Sequence, residues 1–246
     1  IPLRLVGSEM CIRDRSVSRA LEVKLIRDEN KELKEINFDK NQLIGSSSNT
    51  MKIKEIISKI AHTSSRVLIT GESGTGKDLV AKEIHNKSMF KEGPFVVINA
   101  SLLEPNGIEN ELFGIEENGI IKHTGLFEKA NKGSLFIDEV GEMPMQTQIK
   151  ILRVLTEQSF TRIGGDKVVN IETRIIASST KNLVAAIEEN LFRKDLYHRL
   201  NVVELKLPRL VDRIEDMDAL VVYFSNNFSK ANGVQKKNIV DKIKDR

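Results

Sequence analysis

The chain has 246 residues, 40% hydrophobic and 30% charged, with a formal net charge of +3, enough to bury one large core or a core plus a small second unit. No apolar run approaches the ~18 residues that cross a bilayer, and Ile1–Val6 is broken by Arg4, so neither a membrane helix nor a signal peptide is expected and the cytoplasm is the default location. One cysteine, Cys11, excludes an internal disulfide and a thiolate metal cluster, and sparse aromatics without tryptophan argue against a base-stacking platform for single strands.

Residues 229–246 hold Lys230, Lys236, Lys237, Lys242, Lys244 and Arg246 against Asp241 and Asp245, a charge of +4 that leaves −1 for the remainder. The main body is therefore not built electrostatically for DNA. The basic end reads as a solvated face or linker, with a tether to a nucleic-acid module as the alternative.

Residues 1–15 have no helical or strand period and resemble translated adaptor sequence, so they are set aside as a non-native leader. From Ser16 to Asn37, Val17, Leu21, Leu25 and Ile36 lie among dense alternating charges, the pattern of an exposed linker helix, with or without a partner, in a segment that runs to 41. Next come an apolar entry, Leu43–Ile44–Gly45, and a serine turn. Ile53, Ile56, Ile57 and Ile60 then share one face of an amphipathic helix. Ile44 either lines a base pocket or packs in the core.

Val67–Leu68–Ile69 leads into Gly71–Glu72–Ser73–Gly74–Thr75–Gly76–Lys77–Asp78, followed by Leu79, Val80, Ala81 and Ile84 at helical spacing. A strand, a glycine-rich loop and a helix start in that order form a polyphosphate site. The glycines let several N–H groups turn inward, the helix adds its positive end, and Lys77 adds a full charge. Asp78 stands where Ser or Thr usually holds Mg²⁺, and its carboxylate is able to reach a metal directly or through water.

Four further runs have strand length: Phe95–Asn99, Ser134–Asp138, Arg174–Ser178 and Val202–Leu207. Helical patterns separate them, including Met145–Gln158 with Ile149, Leu152 and Leu155 inward, and such alternation predicts a parallel sheet with helices on both faces. Chemistry gathers at the carboxyl ends of such strands, which picks out Asn99, Asp138–Glu139 and Ser179–Thr180. An apolar strand ending in two acids is the Walker B pattern, in which Asp138 serves Mg²⁺ and Glu139 polarises the attacking water.

Phe160–Arg174 reads as two extended segments about Gly164–Gly165–Asp166. Residues 182–200 read as helical. On one continuous helix Arg193 and Arg199 project roughly 120° apart, so one serves its own subunit and the other a neighbour, or both are surface arginines paired with carboxylates. After Pro208, Met217, Leu220, Val221, Phe224 and Phe228 mark a helix that begins a second unit and cannot bury its apolar face alone.

With these residues laid out, the chain resembles the AAA+ central domain of sigma-54-class bacterial enhancer-binding regulators over about residues 42–232. The motifs are GESGTGKD at the phosphate loop, ELFG at 111–114, GSLFIDEVGEMP at 133–144, RIGGD at 162–166, RIIAS at 174–178 and FRKDLYHRLNV at 192–202. The resemblance implies a P-loop AAA+ three-layer α/β sandwich with a parallel five-stranded sheet at 42–208 and the start of a helical lid at 209–246. It implies ATP and Mg²⁺ as ligands, hydrolysis, and assembly into rings, usually hexamers. Asn99 then looks like the restraint on Glu139, Thr180 takes the sensor I place usually held by Asn, and Arg193 and Arg199 match the arginine-finger pair.

One motif departs. Where the family carries GAFTGA after ELFG, Gly114 is followed by Ile-Glu-Glu-Asn-Gly-Ile-Ile-Lys-His-Thr before Gly125. An ordinary short loop is expected there, with Asn118–Gly119–Ile120–Ile121 available to a partner, which makes sigma-54 RNA polymerase a doubtful direct one. The shortened loop, with the charged helix at 16–37, is most similar to NtrX-type response regulators. That likeness implies a receiver domain upstream and DNA contact through a C-terminal domain beyond this chain. A nucleotide-gated assembly switch with little hydrolysis, or an ATPase remodelling another protein, shares the same phosphate residues.

Overall fold

Alternation along each central strand sends neighbouring side chains to opposite faces. In the computed structural model, which describes residues 43–102 and 104–232, this produces two apolar layers. Leu68, Leu135, Ile137, Ile175 and Ala177 join one, and Val67, Ile69, Phe136, Ile176 and Leu205 join the other. The strands are β1 (Val67–Thr70), β2 (Phe95–Asn99), β5 (Ser134–Asp138), β8 (Arg174–Ser179) and β9 (Val203–Lys206). They form one parallel sheet in the order β2-β5-β8-β1-β9. Burial on both faces explains the dense apolar runs of the inner strands β1, β5 and β8, whereas the edge strands β2 and β9 are partly exposed. The leader at 1–15, the linker helix at 16–41 and the basic end past 232 lie outside the described residues.

Helix α1 (Ser48–Ala61) starts where the Ser47 side chain accepts from the Thr50 N–H, and it buries Ile53, Ile57 and Ile60 against the second layer. Its last turn is held by the Arg174 guanidinium, which is buried at the head of β8 and donates to the carbonyls of Ile60 (2.9 Å), Ala61 (3.3 Å) and Ser65 (3.3 Å). Burial lowers the pKa of this arginine to about 10, still a cation at neutral pH. Helix α2 (Lys77–Asn86) follows the phosphate loop and packs Val80, Ala81 and Ile84 beneath α1. Helices α3 (Pro105–Phe113) and α4 (Leu126–Lys129) bury Leu112 and Phe127 in the first layer.

Three expectations are corrected. In α5 (Met145–Glu157) the inward face is Gln148, Ile151, Val154 and Leu155, whereas Ile149 is 37% exposed. Residues 182–200 are two helices, α6 (Leu183–Glu188) and α7 (Lys194–Leu200). The break comes at Asn190, whose φ of 58° is left-handed, and the Leu191 and Phe192 N–H groups turn back to the Ala186 carbonyl. Arg193 therefore caps α7 from outside it, and the angle expected from one continuous helix does not apply. The stretch after Gly114 is an antiparallel hairpin of β3 (Gly114–Glu117) and β4 (Ile120–Thr124), not a plain loop. Its two-residue turn places Asn118 at φ 51° and Gly119 at φ 75°, the mirror-image turn that Asn-Gly favours.

The segment 159–170 forms a second hairpin, β6 (Ser159–Thr161) with β7 (Val168–Asn170), around the expected glycines. Glu116 and Ile163 join the two hairpins, because the Glu116 N–H donates to the Ile163 carbonyl and the Ile163 N–H to that of Gly114. Arg162 reinforces the junction from a buried position, pairing with Glu116 at 2.9 Å and Glu128 at 2.7 Å. After β9 a 3₁₀ segment, Leu210–Asp216, runs into helix α8 (Met217–Asn232), which shows Phe224 and Phe228 to solvent.

Candidate functional site

Four strand exits converge on the phosphate loop. The loop leaves β1 with the Gly71 N–H donating to the Ser179 carbonyl at the end of β8. Gly74 (φ 78°) and Gly76 (φ 96°) then take left-handed backbone that side chains disfavour. Between them Thr75 closes the turn by donating from Oγ1 to the Glu72 carbonyl at 2.8 Å. Glu72, Ser73 and Gly74 are exposed at the rim, and Asp78 is exposed in the first turn of α2.

Lys77 is 93% buried by its 7% exposure, an unusual place for a lysine. Its Nζ donates to the Gly71 and Glu72 carbonyls at 3.2 and 3.3 Å, and it lies 3.4 Å from Glu139 Oε1. Glu139 leaves β5 in the left-handed region (φ 55°, ψ 49°), a strained conformation of the kind that collects at functional sites. Its Oε2 accepts twice from Thr180, from the N–H at 2.9 Å and from Oγ1 at 2.7 Å. Burial pushes the Glu139 carboxyl up. The bonds from Thr180 and the Lys77 charge outweigh it and hold the group below the usual carboxylate range.

Asp138 is engaged on both oxygens. Asn99 Nδ2 donates to Oδ2 at 2.7 Å, and Ser178 Oγ donates to Oδ1. Ser178 also accepts the Glu139 N–H at 3.1 Å. The expectation that Asn99 restrains Glu139 is thus corrected for this conformation: Asn99 holds the first carboxylate, and Thr180 with Lys77 holds the second. Ser178 was not singled out from sequence, although its position two residues before Thr180 on an exiting strand marks it.

Arg193 and Arg199 are bonded elsewhere. Arg193 pairs with Asp195 at 2.6 Å, which raises its pKa, and its N–H donates to Gln148 Oε1. Arg199 is exposed and reaches the Leu155 carbonyl at 3.4 Å. Ile44 is half-buried in the entry segment, beside the buried Leu43, whose N–H donates to Glu83. Beside the loop lies a cleft of about 490 Å³ bordered by Gly71, Glu72, Thr180, Lys206 and Arg209. Among the described residues no helix is long and apolar enough to cross a membrane.

Comparison with known proteins places the chain in a family. Residues 43–206 match the family described as the sigma-54 interaction domain. The nitrogen assimilation regulatory protein NtrX of Azorhizobium caulinodans is 43% identical over 222 residues, covering 90% of this chain and 49% of that protein. The regulatory protein AtoC of Escherichia coli K12 is 40% identical over 232 residues, 92% of this chain and 50% of its own length. Crystal structures of NtrX from Brucella abortus, in complex with ADP and with ATP, superpose with a TM-score of 0.80 at 41% identity, covering 89% of this chain and 49% of theirs. The chain thus spans about half the length of the relatives it matches. It belongs to the sigma-54 interaction domain family, as a P-loop AAA+ ATPase domain of the NtrX and NtrC type.

Proposed function

We propose that this domain binds ATP with magnesium between the subunits of a ring, a hexamer by family resemblance, and hydrolyses it within a cytoplasmic two-component transcriptional regulator. The observation that carries this reading is the approach of Lys77 to Glu139 across the mouth of a glycine-rich loop, 3.4 Å apart. A triphosphate entering there replaces the Gly71 and Glu72 carbonyls as the partner of Lys77 and separates the lysine from the carboxylate. The loop residues Gly71 to Asp78 then surround the phosphates, and Ile44 faces the base.

Asp138 fits a magnesium ion. A carboxylate beside substrate phosphates is the ligand set that ion takes, and each Asp138 oxygen keeps a lone pair beyond its bond to Asn99 or Ser178. Among the described residues no cluster of three or more His, Cys, Asp or Glu offers a cage made of protein alone. When bound, the ion neutralises charge that builds on the phosphoryl oxygens. Glu139, ionised at neutral pH, accepts a proton from the attacking water once Thr180 releases it. The exposed Arg199 reaches a neighbouring subunit's phosphates, and Arg193, held by Asp195, keeps α7 in place beside it.

The Brucella abortus NtrX complexes with ADP and ATP support nucleotide binding. In the whole protein, DNA contact belongs to a further domain. The hairpin at Gly114–Thr124, which lacks GAFTGA, argues against direct remodelling of sigma-54 polymerase. A second reading, a nucleotide-gated assembly switch with little turnover, is favoured by the double hold of Thr180 on Glu139. The ATPase rate per subunit against protein concentration separates them: a steep rise supports hydrolysis between subunits. Saturable ATP binding with flat turnover supports the switch.

A further inference from the structure

The 3₁₀ segment Leu210–Asp216 joins the sheet to the lid helix, and two of its side chains turn back to the nucleotide site. Asp216 is fully buried at the start of α1. Its Oδ1 accepts the Ser46 and Ser47 N–H groups, each at 2.7 Å, and its Oδ2 accepts from Ser47 Oγ at 2.8 Å and Thr50 Oγ1 at 2.5 Å. The fit is close enough that a Cβ on Gly45, next to Ile44, would lie 2.4 Å from the Asp216 carboxyl carbon. This carboxylate fixes the segment to the entry side of the site.

Arg213 reaches the other side. It is 8% exposed, and its Nη2 donates to the carbonyl of Thr75 in the phosphate loop at 3.0 Å. Its backbone (φ −141°, ψ 45°) interrupts the helical run at the residue that bears the guanidinium. Among the described residues its buried Nε has no partner. Leaving a buried donor unpaired costs free energy, so stability alone is a poor account of this placement.

In a planar trans peptide the carbonyl and the following N–H point in opposite directions. Gripping the Thr75 oxygen therefore sets the direction of the Gly76 N–H. That peptide needs a tether, because one of its two pivots is Gly76, left-handed at φ 96° and free to rotate. On its other side Thr75 is already tied to the Glu72 carbonyl. A hydrogen bond to the carbonyl also polarises the amide and strengthens it as a donor.

We propose that Arg213 is a positioning residue for nucleotide binding: from the lid side it holds the Thr75–Gly76 peptide so that the Gly76 N–H faces the phosphates. Because Asp216 and α8 continue from the same segment, lid position and phosphate affinity depend on each other, and the coupling is reciprocal. The inference rests on the nucleotide reading above and assigns the lid entry a part in it.

The test measures a fluorescent ATP analogue on the 246-residue chain with Arg213→Gln and Arg213→Lys, alongside the amide shift of Gly76 in ¹⁵N-labelled protein and the melting temperature. The Gln variant is expected to bind about tenfold more weakly, the loss of one charge-assisted contact, while the Lys variant, which still donates to Thr75, stays within threefold. ADP should move the Gly76 amide in the parent and the Lys variant and leave it in place in the Gln variant. Equal affinity of parent and Gln variant overturns the inference, as does an affinity loss in both variants that follows melting temperature with the Gly76 response intact. Should the Gln variant not fold, the Lys variant decides: an unresponsive Gly76 in a folded, ATP-binding protein sinks the proposal. Lys77→Ala is run beside them. If it binds like the parent, the nucleotide reading fails; if only Arg213→Gln does, this inference alone fails.

Discussion

Replacing Asp216 by Asn should weaken the domain far more at neutral pH than in acid. The carboxylate takes four hydrogen bonds from the Ser46–Thr50 turn. Burial pushes its pKa up, and those bonds outweigh it and bring the group from 3.8 to about 2. A folded pKa below the unfolded one contributes stability that is complete above the unfolded value and lost as pH falls through the folded one. The shift corresponds to about 2 kcal/mol at pH 7, of which about half is gone by pH 3. An amide keeps one acceptor and brings an NH₂ group against donors, so the variant loses at least this much at pH 7. The assay is urea unfolding of parent and variant from pH 7 to pH 3, read as the difference in unfolding free energy. Using the difference removes carboxylates common to both. A gap that narrows by about 1 kcal/mol over that range is expected. A gap independent of pH, or no gap at neutral pH, refutes the reasoning.

Arg162→Met should destabilise the hairpin junction by about 3–5 kcal/mol, because it leaves Glu116 and Glu128 without their buried cation. Adding Glu116→Gln and Glu128→Gln to that variant should recover much of the loss in urea unfolding, and no recovery would show that charge burial is not the cause. Thr180→Val removes one of the bonds that lower the Glu139 carboxyl. Its pKa rises, so the acid limb of the ATPase pH profile should move to higher pH, and an unmoved limb would take Glu139 out of the role of base.

The five strands of the sheet and both ends of the phosphate loop were legible because each strand writes itself as a short apolar-biased run, densest where β1, β5 and β8 are buried on two faces, and because four of the runs lead to a polar residue or the phosphate loop. Asp138 and Glu139 were legible for the same reason. The partners of these acids were not. Asn99 meets Asp138 through the pairing of β2 with β5, and Thr180 meets Glu139 through the exit of β8. Which carboxylate each donor takes depends on sub-ångström placement that spacing does not encode. The split of 182–200 depended on Asn190 adopting a left-handed turn, which apolar periodicity does not register. The hairpin at 114–124 did carry a signal, Asn118–Gly119 between extended segments. The Asp216 latch joins residues 166 to 170 positions apart, beyond the reach of any local pattern.

Titrating a labelled ATP analogue against the parent chain and Lys77→Ala tests the nucleotide site most directly. Lys77 is the buried cation at the mouth of the loop, and losing its contacts to phosphate should weaken binding by about tenfold to a hundredfold. Equal affinity in the two proteins would contradict the account.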